Sequence, residues 1–353
     1  MLIAIRVDSS ESIGFGHLAR TLNIALELRS RFHKVYFICR DLNANGRAWI
    51  EAAGFEIIGL PRPKKVFAPK NPRPKHLSWL GVSLQEEIAD SQRALEGVKI
   101  ADWLAIDSYA LDRRYERAMK PYCRRIAVLD DLADRPHDCD LIIDGALGRD
   151  TEDYKTLVGK KSEKLFGVDY MPLRRDFASF RSLAMPRRFP PRRILVAMGG
   201  IDAKNLTGEA LKAIANSPFR SASIAVVLSS FAPFIAQNQN LGNDLGLAID
   251  WRIDAPNMPF LISTSDLGVG AAGVGAYERA CLGLASVTTL AAANQRENLT
   301  RLDSIGAVIK TESIGEALDR LDEKSFRTCE RSAFATCDAL GVLRICDALE
   351  RSR

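Results

Sequence analysis

Three stretches of this 353-residue chain set glycines beside groups that can move a proton or hold an anion. The first is Gly14-Phe15-Gly16-His17-Leu18-Ala19-Arg20. An imidazole takes a proton from water near neutral pH. Glycines opening a helix let the backbone approach a ligand and aim unpaired N–H groups at an anion. Arg20 falls one turn beyond His17, on the same helical face. A plain glycine turn with a helix-capping histidine has the same spelling. The second stretch, Met198-Gly199-Gly200-Ile201-Asp202, follows the same logic, with Asp202 or Asn205 also suited to cap the next helix. The third runs from Gly270 to Arg279. There Gly273, Val274 and Gly275 open a helix as a phosphate cradle. Glu278, one turn on, can accept hydrogen bonds from ribose hydroxyls, or simply be an exposed glutamate beside a close-packed turn. Asn294 and Gln295 sit in a later strand-to-helix loop, where amides can read a base or a pyranose. Asp107-Ser108-Tyr109 and Asp130-Asp131 each follow a predicted strand. Carboxylates there can orient water or sugar hydroxyls, or serve as caps.

These loops need a scaffold that brings strand ends together. Short apolar runs at Leu2-Val7, Val35-Cys39, Phe55-Leu60, Trp103-Ile106, Ile126-Leu129 and Leu141-Ile143 alternate with helical spacing such as Leu18, Leu22, Ala25 and Leu26. A basic, proline-rich loop (PRPKKVFAPKNPRPKH) follows the third strand and forbids regular structure. The pattern lapses over 151–191, where prolines recur, and restarts with strands at Ile194-Met198, Ser223-Leu228, Leu247-Ile249, Leu267-Val269 and Ser286-Leu290. Strands alternating with helices imply parallel sheets covered on both faces. The expected architecture is α/β: two Rossmann-like doubly wound domains, residues 1–165 and 166–353, facing a cleft, with the linker inside 151–191. Ligands in such sheets bind outside the carboxyl ends of the strands.

The totals narrow the function. A net charge of +5 suits an anionic small molecule and is too small and dispersed for nucleic acid. Seven cysteines form no C-x-x-C pair, and four histidines lack metal-ligand spacing, so a reducing cytosol and no bound metal or other cofactor are expected. No apolar run is long enough for a bilayer and the N-terminus lacks signal-peptide character. A cytoplasmic monomer without membrane insertion is the resulting expectation.

Taken in order, GFGHLAR, HLSWLGV, IDSY, VLDDLADRPHDCDLIID, GGID, the Gly270–Glu278 loop and Asn294-Gln295 resemble the UDP-2,4-diacetamido-2,4,6-trideoxy-β-L-altropyranose hydrolases of pseudaminic acid biosynthesis and related spore-coat polysaccharide proteins. The resemblance reaches to about Ile309. It implies a glycosyltransferase B-type architecture and metal-independent cleavage of a UDP-sugar at the anomeric carbon, with inversion and release of UDP. On that resemblance His17, with Gly14 and Gly16, becomes the base or orienter of the attacking water. Glu278 becomes the ribose ligand, Asn294 and Gln295 ligand contacts, and Tyr109 a residue near the sugar. Arg20, Asp107, Gly199, Gly200 and Asp202 complete the expected substrate-binding set. The chain departs from the family at Ser108, where histidine is common, at Ile201, where serine is usual, and at Val274-Gly275-Ala276, where hydroxyl residues are common. The alternatives are an inverting UDP-sugar glycosyltransferase of surface polysaccharide synthesis and a divergent nucleotide-sugar binding protein. A dehydrogenase is disfavoured: the loop is not G-x-G-x-x-G, and Cys39-Arg40 stands where an acidic residue would end the second strand.

Overall fold

The computed structural model describes residues 1–351 apart from 66 and 185. The predicted basic loop and linker each contain one of those two positions and so fall partly outside the described residues.

The chain divides into two compact units, residues 1–172 with 341 onward, and 173–340. The first unit runs β1 (Leu2–Val7), α1 (Gly16–Ser30), β2 (Lys34–Arg40), α2 (Arg47–Ala52), β3 (Glu56–Leu60), α3 (Leu84–Leu95), β4 (Ala101–Asp107), α4 (Arg113–Met119), β5 (Cys123–Leu129), β6 (Leu141–Asp144) and β7 (Glu163–Phe166). The second runs α5 (Asp176–Arg181), β8 (Arg193–Ala197), α6 (Leu206–Asn216), β9 (Ser223–Leu228), α7 (Ile235–Asp244), β10 (Ile249–Ile253), α8 (Met258–Ser263), β11 (Leu267–Ala271), α9 (Val274–Cys281), β12 (Ser286–Thr289), α10 (Arg296–Ser304), β13 (Ile309–Lys310), α11 (Ile314–Asp319) and α12 (Glu323–Thr336). The last helix, α13 (Gly341–Arg351), returns to the first unit.

Each sheet is parallel throughout. The strand orders are β3-β2-β1-β4-β5-β6-β7 and β10-β9-β8-β11-β12-β13. Both are Rossmann-like: the order reverses beside the first strand of each sheet, between β1 and β4 and between β8 and β11. Their interior strands are nearly continuous apolar runs, because helices cover both faces. Ile3, Ile5 and Val7 of β1, and Ile194, Leu195 and Val196 of β8, are all fully buried. His17, Asp107, Gly199 and Gly273 lie at or shortly beyond the carboxyl ends of β1, β4, β8 and β11. Four of the glycine and acid motifs therefore stand at the crevices where such sheets bind ligands.

Several elements differ from expectation. The strand predicted at Leu247-Ile249 forms at Ile249–Ile253, an edge strand whose IDWRI spelling lacks an apolar run. β7 (EKLF) is also an edge strand, and β13 is two residues long. The stretch 166–172 and α13, predicted in the second domain, belong to the first unit. The reason for α13 is its apolar face: Val342, Ile345, Cys346 and Leu349 are buried. Trp103 Nε1 donates to Leu349 O at 3.1 Å, and Arg31 of α1 pairs with Asp347 and Glu350.

Candidate functional site

In the first unit, α1 begins immediately after a tight loop. Gly14 N donates to Ser10 O at 2.8 Å, with Gly14 at φ +80°, a left-handed conformation that a side chain would strain. Ser9 Oγ accepts from Gly46 N at 2.7 Å. Beneath the loop, Asp8 at the end of β1 accepts from Arg6 and from the Arg40 backbone. Both arginines are clasped by Glu87 of α3. These buried charges are tolerated because each is paired and hydrogen-bonded. They tie the loop before His17 to β1, β2 and α3.

His17 then enters the first turn of α1, with its side chain buried. Its Nδ1 lies 2.6 Å from Asp107 Oδ1 at the end of β4. Arg20 donates to the same carboxylate twice, from Nε to Oδ2 and from Nη2 to Oδ1, each at 2.6 Å, and from Nη1 to Asp131 Oδ2 at 2.9 Å. Burial pushes the Asp107 carboxyl up, but Arg20 and His17 outweigh it and hold the pKa at about 2. An ionised carboxylate only accepts, so the Nδ1 of His17 carries the proton. In the neutral ring Nε2 then keeps the lone pair, and it has no hydrogen-bond partner among the described residues. Asp107 and Arg20, expected as substrate ligands, are instead occupied with each other and with His17. Asp131, which anchors Arg20, was read only as half of an acidic pair. Its neighbour Asp130 is buried rather than presented to a ligand. It pairs with Arg135 at 2.7 Å and accepts from the Tyr154 hydroxyl at 2.8 Å, and that hydroxyl is equally close to Asp144 Oδ2.

Tyr109 is buried edge-on to the His17 ring, centroids 4.4 Å apart. Trp79 and His76, on and just before a 3₁₀ turn at Leu77–Leu80, complete an aromatic group: Trp79 lies 5.6 Å from Tyr109 and 4.4 Å from His76. Both belong to HLSWLGV, whose spacing alone assigns neither residue to a site. The Ser108 hydroxyl accepts from Ala110 N at 3.3 Å, a local turn contact that fits the residue to this loop.

In the second unit, Gly273 precedes α9, and no side chain caps this helix. Its first N–H groups, at Val274 and Gly275, are the type of donors that receive a phosphate. Hydroxyl side chains are absent from this turn, but these backbone donors do not depend on them. The loop is braced from below. Arg279, fully buried, donates to Ala271 O at 2.9 Å and to Ser286 Oγ. Asn298 Nδ2 donates to Ala272 O at 2.6 Å. Burial brings the Arg279 pKa down to about 10. Neither brace was identified from the sequence, because both reach the loop from outside the motif. The Glu278 carboxylate makes no hydrogen bond among the described residues, and burial raises its pKa above the usual range. Gln295 packs against the loop so closely that a Cβ on Gly273 would lie 3.2 Å from its amide nitrogen. Its Oε1 is buried without a partner. Asn294 is exposed.

The Gly199–Gly200 loop differs. Gly199 has φ +100°, and Gly200 O accepts from Ser229 N and Oγ. Asp202, expected to bind substrate, accepts from Leu206 N and Thr207 N at 2.8 Å each, and Asn205 accepts from Gly208 N. These side chains cap α6 and leave its N-terminus less available to an anion than that of α9. Ile201 is turned inward and buried, which explains an apolar residue in that loop.

Among the described residues no group of three or more His, Cys, Asp or Glu is arranged to hold a metal ion, and no helix is long and apolar enough to cross a membrane.

No family model matches the chain. It is similar to the UDP-2,4-diacetamido-2,4,6-trideoxy-beta-L-altropyranose hydrolase of Campylobacter jejuni, 26% identical over 254 residues, 71% of this chain and 78% of that protein. It is also 23% identical over 306 residues to an uncharacterised protein of Methanocaldococcus jannaschii, covering 84% of this chain but only 57% of that relative's length. Among solved structures it resembles Acinetobacter baumannii MurG, with TM-score 0.64, 14% identity and 99% of both chains covered. It also resembles the spinosyn rhamnosyltransferase SpnG complexed with thymidine diphosphate, with TM-score 0.62, 16% identity, and 99% and 96% of the two chains covered. The fold is thus that of the glycosyltransferase B type, two Rossmann-like units.

Proposed function

We propose that this protein hydrolyses a UDP-sugar at its anomeric carbon, releasing UDP with inversion. The carrying observation is the His17 arrangement: Nδ1 fixed on an ionised, doubly clamped Asp107, and Nε2 left as an acceptor. That geometry suits removal of a proton from water. General-base assistance of this kind contributes roughly 10²–10⁴ in rate. The α9 turn supplies backbone N–H groups for the departing diphosphate as its charge develops. Glu278 is proposed as acceptor for the ribose hydroxyls and Gln295 as a further ligand contact, with Asn294 beside it. Gly199 and Gly200 are proposed to let the backbone approach the phosphates. The Campylobacter relative supports a diacetamido-trideoxy-altrose donor, and with it a place in nonulosonic acid synthesis.

A transferase reading is favoured by the likeness to a rhamnosyltransferase. It differs only in what His17 deprotonates, an acceptor hydroxyl rather than water. The test is UDP release from a panel of UDP-sugars in H₂¹⁸O without acceptor, using wild type and His17→Ala. Release with ¹⁸O at the anomeric carbon, abolished in the variant, is the expected result. UDP release only after an alcohol is added would replace hydrolysis with transfer. Full turnover by His17→Ala would remove the base.

A further inference from the structure

His76 and Trp79 belong to HLSWLGV, a stretch with no role in the site so far, yet the fold brings them to His17. They come from the 3₁₀ turn ahead of α3, about sixty residues from His17 and some thirty before Tyr109. The ring contacts form a continuous series. His17 meets Tyr109 at 4.4 Å, Tyr109 meets His76 at 5.5 Å and Trp79 at 5.6 Å, and His76 meets Trp79 at 4.4 Å. Trp79 also approaches His17 edge-on at 6.1 Å. Tyr109 is buried and forms the floor, whereas Trp79 and His76 are only half-buried and keep exposed surface. No hydrogen bond engages the His76 ring nitrogens among the described residues. Packing accounts for the buried Tyr109, but it leaves two partly exposed rings beside His17.

Stacked rings beside a reacting carbon favour a particular substrate. A pyranose presents C–H faces and substituents to an aromatic surface. Methyl groups gain by leaving water, while hydroxyls must give up hydrogen bonds unless partners replace them. Trp79 offers a broad apolar face with one N–H. His76 offers a single polar edge, suited to an amide or one hydroxyl, and burial lowers its pKa so that it remains a neutral imidazole near pH 7. The neighbouring charges that face it, Asp134, Arg135 and Lys75, act in opposing directions on it.

We infer that His76 and Trp79 form a shelf that determines sugar specificity, selecting a hexose rich in acylamino and deoxy positions over a fully hydroxylated one. This rests on the UDP-sugar reading and deepens it. Trp79 stacks on the sugar, and His76 hydrogen-bonds an amide substituent. Neither contacts the nucleotide, so the shelf acts on the sugar alone.

The test compares UDP, UDP-glucose, UDP-N-acetylglucosamine and the UDP-2,4-diacetamido-trideoxyhexose. Binding is measured by calorimetry on a His17→Ala background, so that turnover does not interfere, and kcat/KM is measured with His17 intact. Trp79→Ala is expected to weaken binding of the diacetamido donor at least about tenfold, about 1.4 kcal/mol. UDP affinity should be unchanged and UDP-glucose little affected. His76→Ala should lose preference for acylamino sugars. Trp79→Phe should keep most of the donor affinity that Trp79→Ala loses, which separates ring stacking from a folding defect. An unchanged preference between acylamino and hydroxylated sugars in both alanine variants overturns the shelf, as does equal loss for UDP itself. If wild type binds UDP and its sugars with the predicted preference but releases no UDP, the shelf stands and the hydrolase reading falls. If it binds none of them, both fall.

Discussion

Replacing Asp107 with asparagine isolates what the carboxylate does to His17. In the native protein the carboxylate accepts three hydrogen bonds, each 2.6 Å long, one from His17 and two from Arg20. It titrates at about 2 instead of 3.8, a preference for the charged form worth about 2–3 kcal/mol. Arg20 donates to both oxygens, so an asparagine loses one of those bonds either way. With its oxygen kept on Arg20 Nε, its amide nitrogen takes the place of Oδ1, displaces Arg20 Nη2 and turns an N–H toward Nδ1. Nδ1 then becomes the acceptor, and the proton moves to Nε2, where it blocks acceptance from water. Tautomer reversal of this kind in a Ser-His-Asp triad lowers turnover about 10⁴-fold, and loss of a general base costs about 10²–10⁴. The expectation is a fall in kcat within that range with little change in KM, because Asp107 is buried with both oxygens taken by His17 and Arg20. UDP release at saturating UDP-sugar measures the first. Nitrogen-15 NMR of His17 measures the tautomer independently of any activity. A variant that is folded, still protonated on Nδ1 and turning over near the native rate would refute the reasoning.

Other expectations follow from the same geometry. Glu278→Gln should weaken UDP binding by about tenfold, the loss of a charge-assisted hydrogen bond, as read by calorimetry. Stability should also carry a pH signature from Asp144. One Tyr154 hydroxyl lies 2.8 Å from both Asp130 and Asp144 and has one proton to give, so one carboxyl must supply its own. Burial, against the opposing pull of Arg149, raises Asp144 from 3.8 to about 7. The folded protein therefore keeps a proton that the unfolded chain loses near pH 4. This contribution is complete below that pH and is lost as pH rises through about 7. Asp144→Asn should flatten the decline of Tm between about pH 4 and 7, and an unchanged slope would remove Asp144 as its source. Ile345→Ala, fully buried in α13, should cost about 2–5 kcal/mol in urea unfolding.

The alternation of strands and helices was legible because interior parallel strands must be apolar on both sides. β1 and β8 spell that out, whereas β7 and β10 lie at or near the margins of their sheets, admit Glu, Lys, Asp and Arg, and hide in the surrounding polar sequence. The site was legible where its residues share a turn. His17 and Arg20 are three apart on one helix, and Gly273 to Glu278 form one strand-to-helix passage. It was not legible where partners come from distant strands. The bond between His17 and Asp107 spans 90 residues and that between Arg20 and Asp131 spans 111, separations over which spacing says nothing. Asp107 therefore looked like a ligand when its place in β4 makes it a support. Asp202 shows the reverse: a helix start at Leu206 already sufficed to make it a cap.

The return of α13 to the first unit affects how the chain is made. A ribosome delivers β1 to β7 first, then every residue of the second unit, and only afterwards the helix that covers α1 and Trp103. The second unit is contiguous and can complete its core as soon as it emerges. The first unit must wait through 168 residues of synthesis with an apolar groove uncovered beside the helix that carries His17. A chain truncated before Gly341 therefore keeps every residue of the second unit but leaves the first unit's groove beside α1 and Trp103 open.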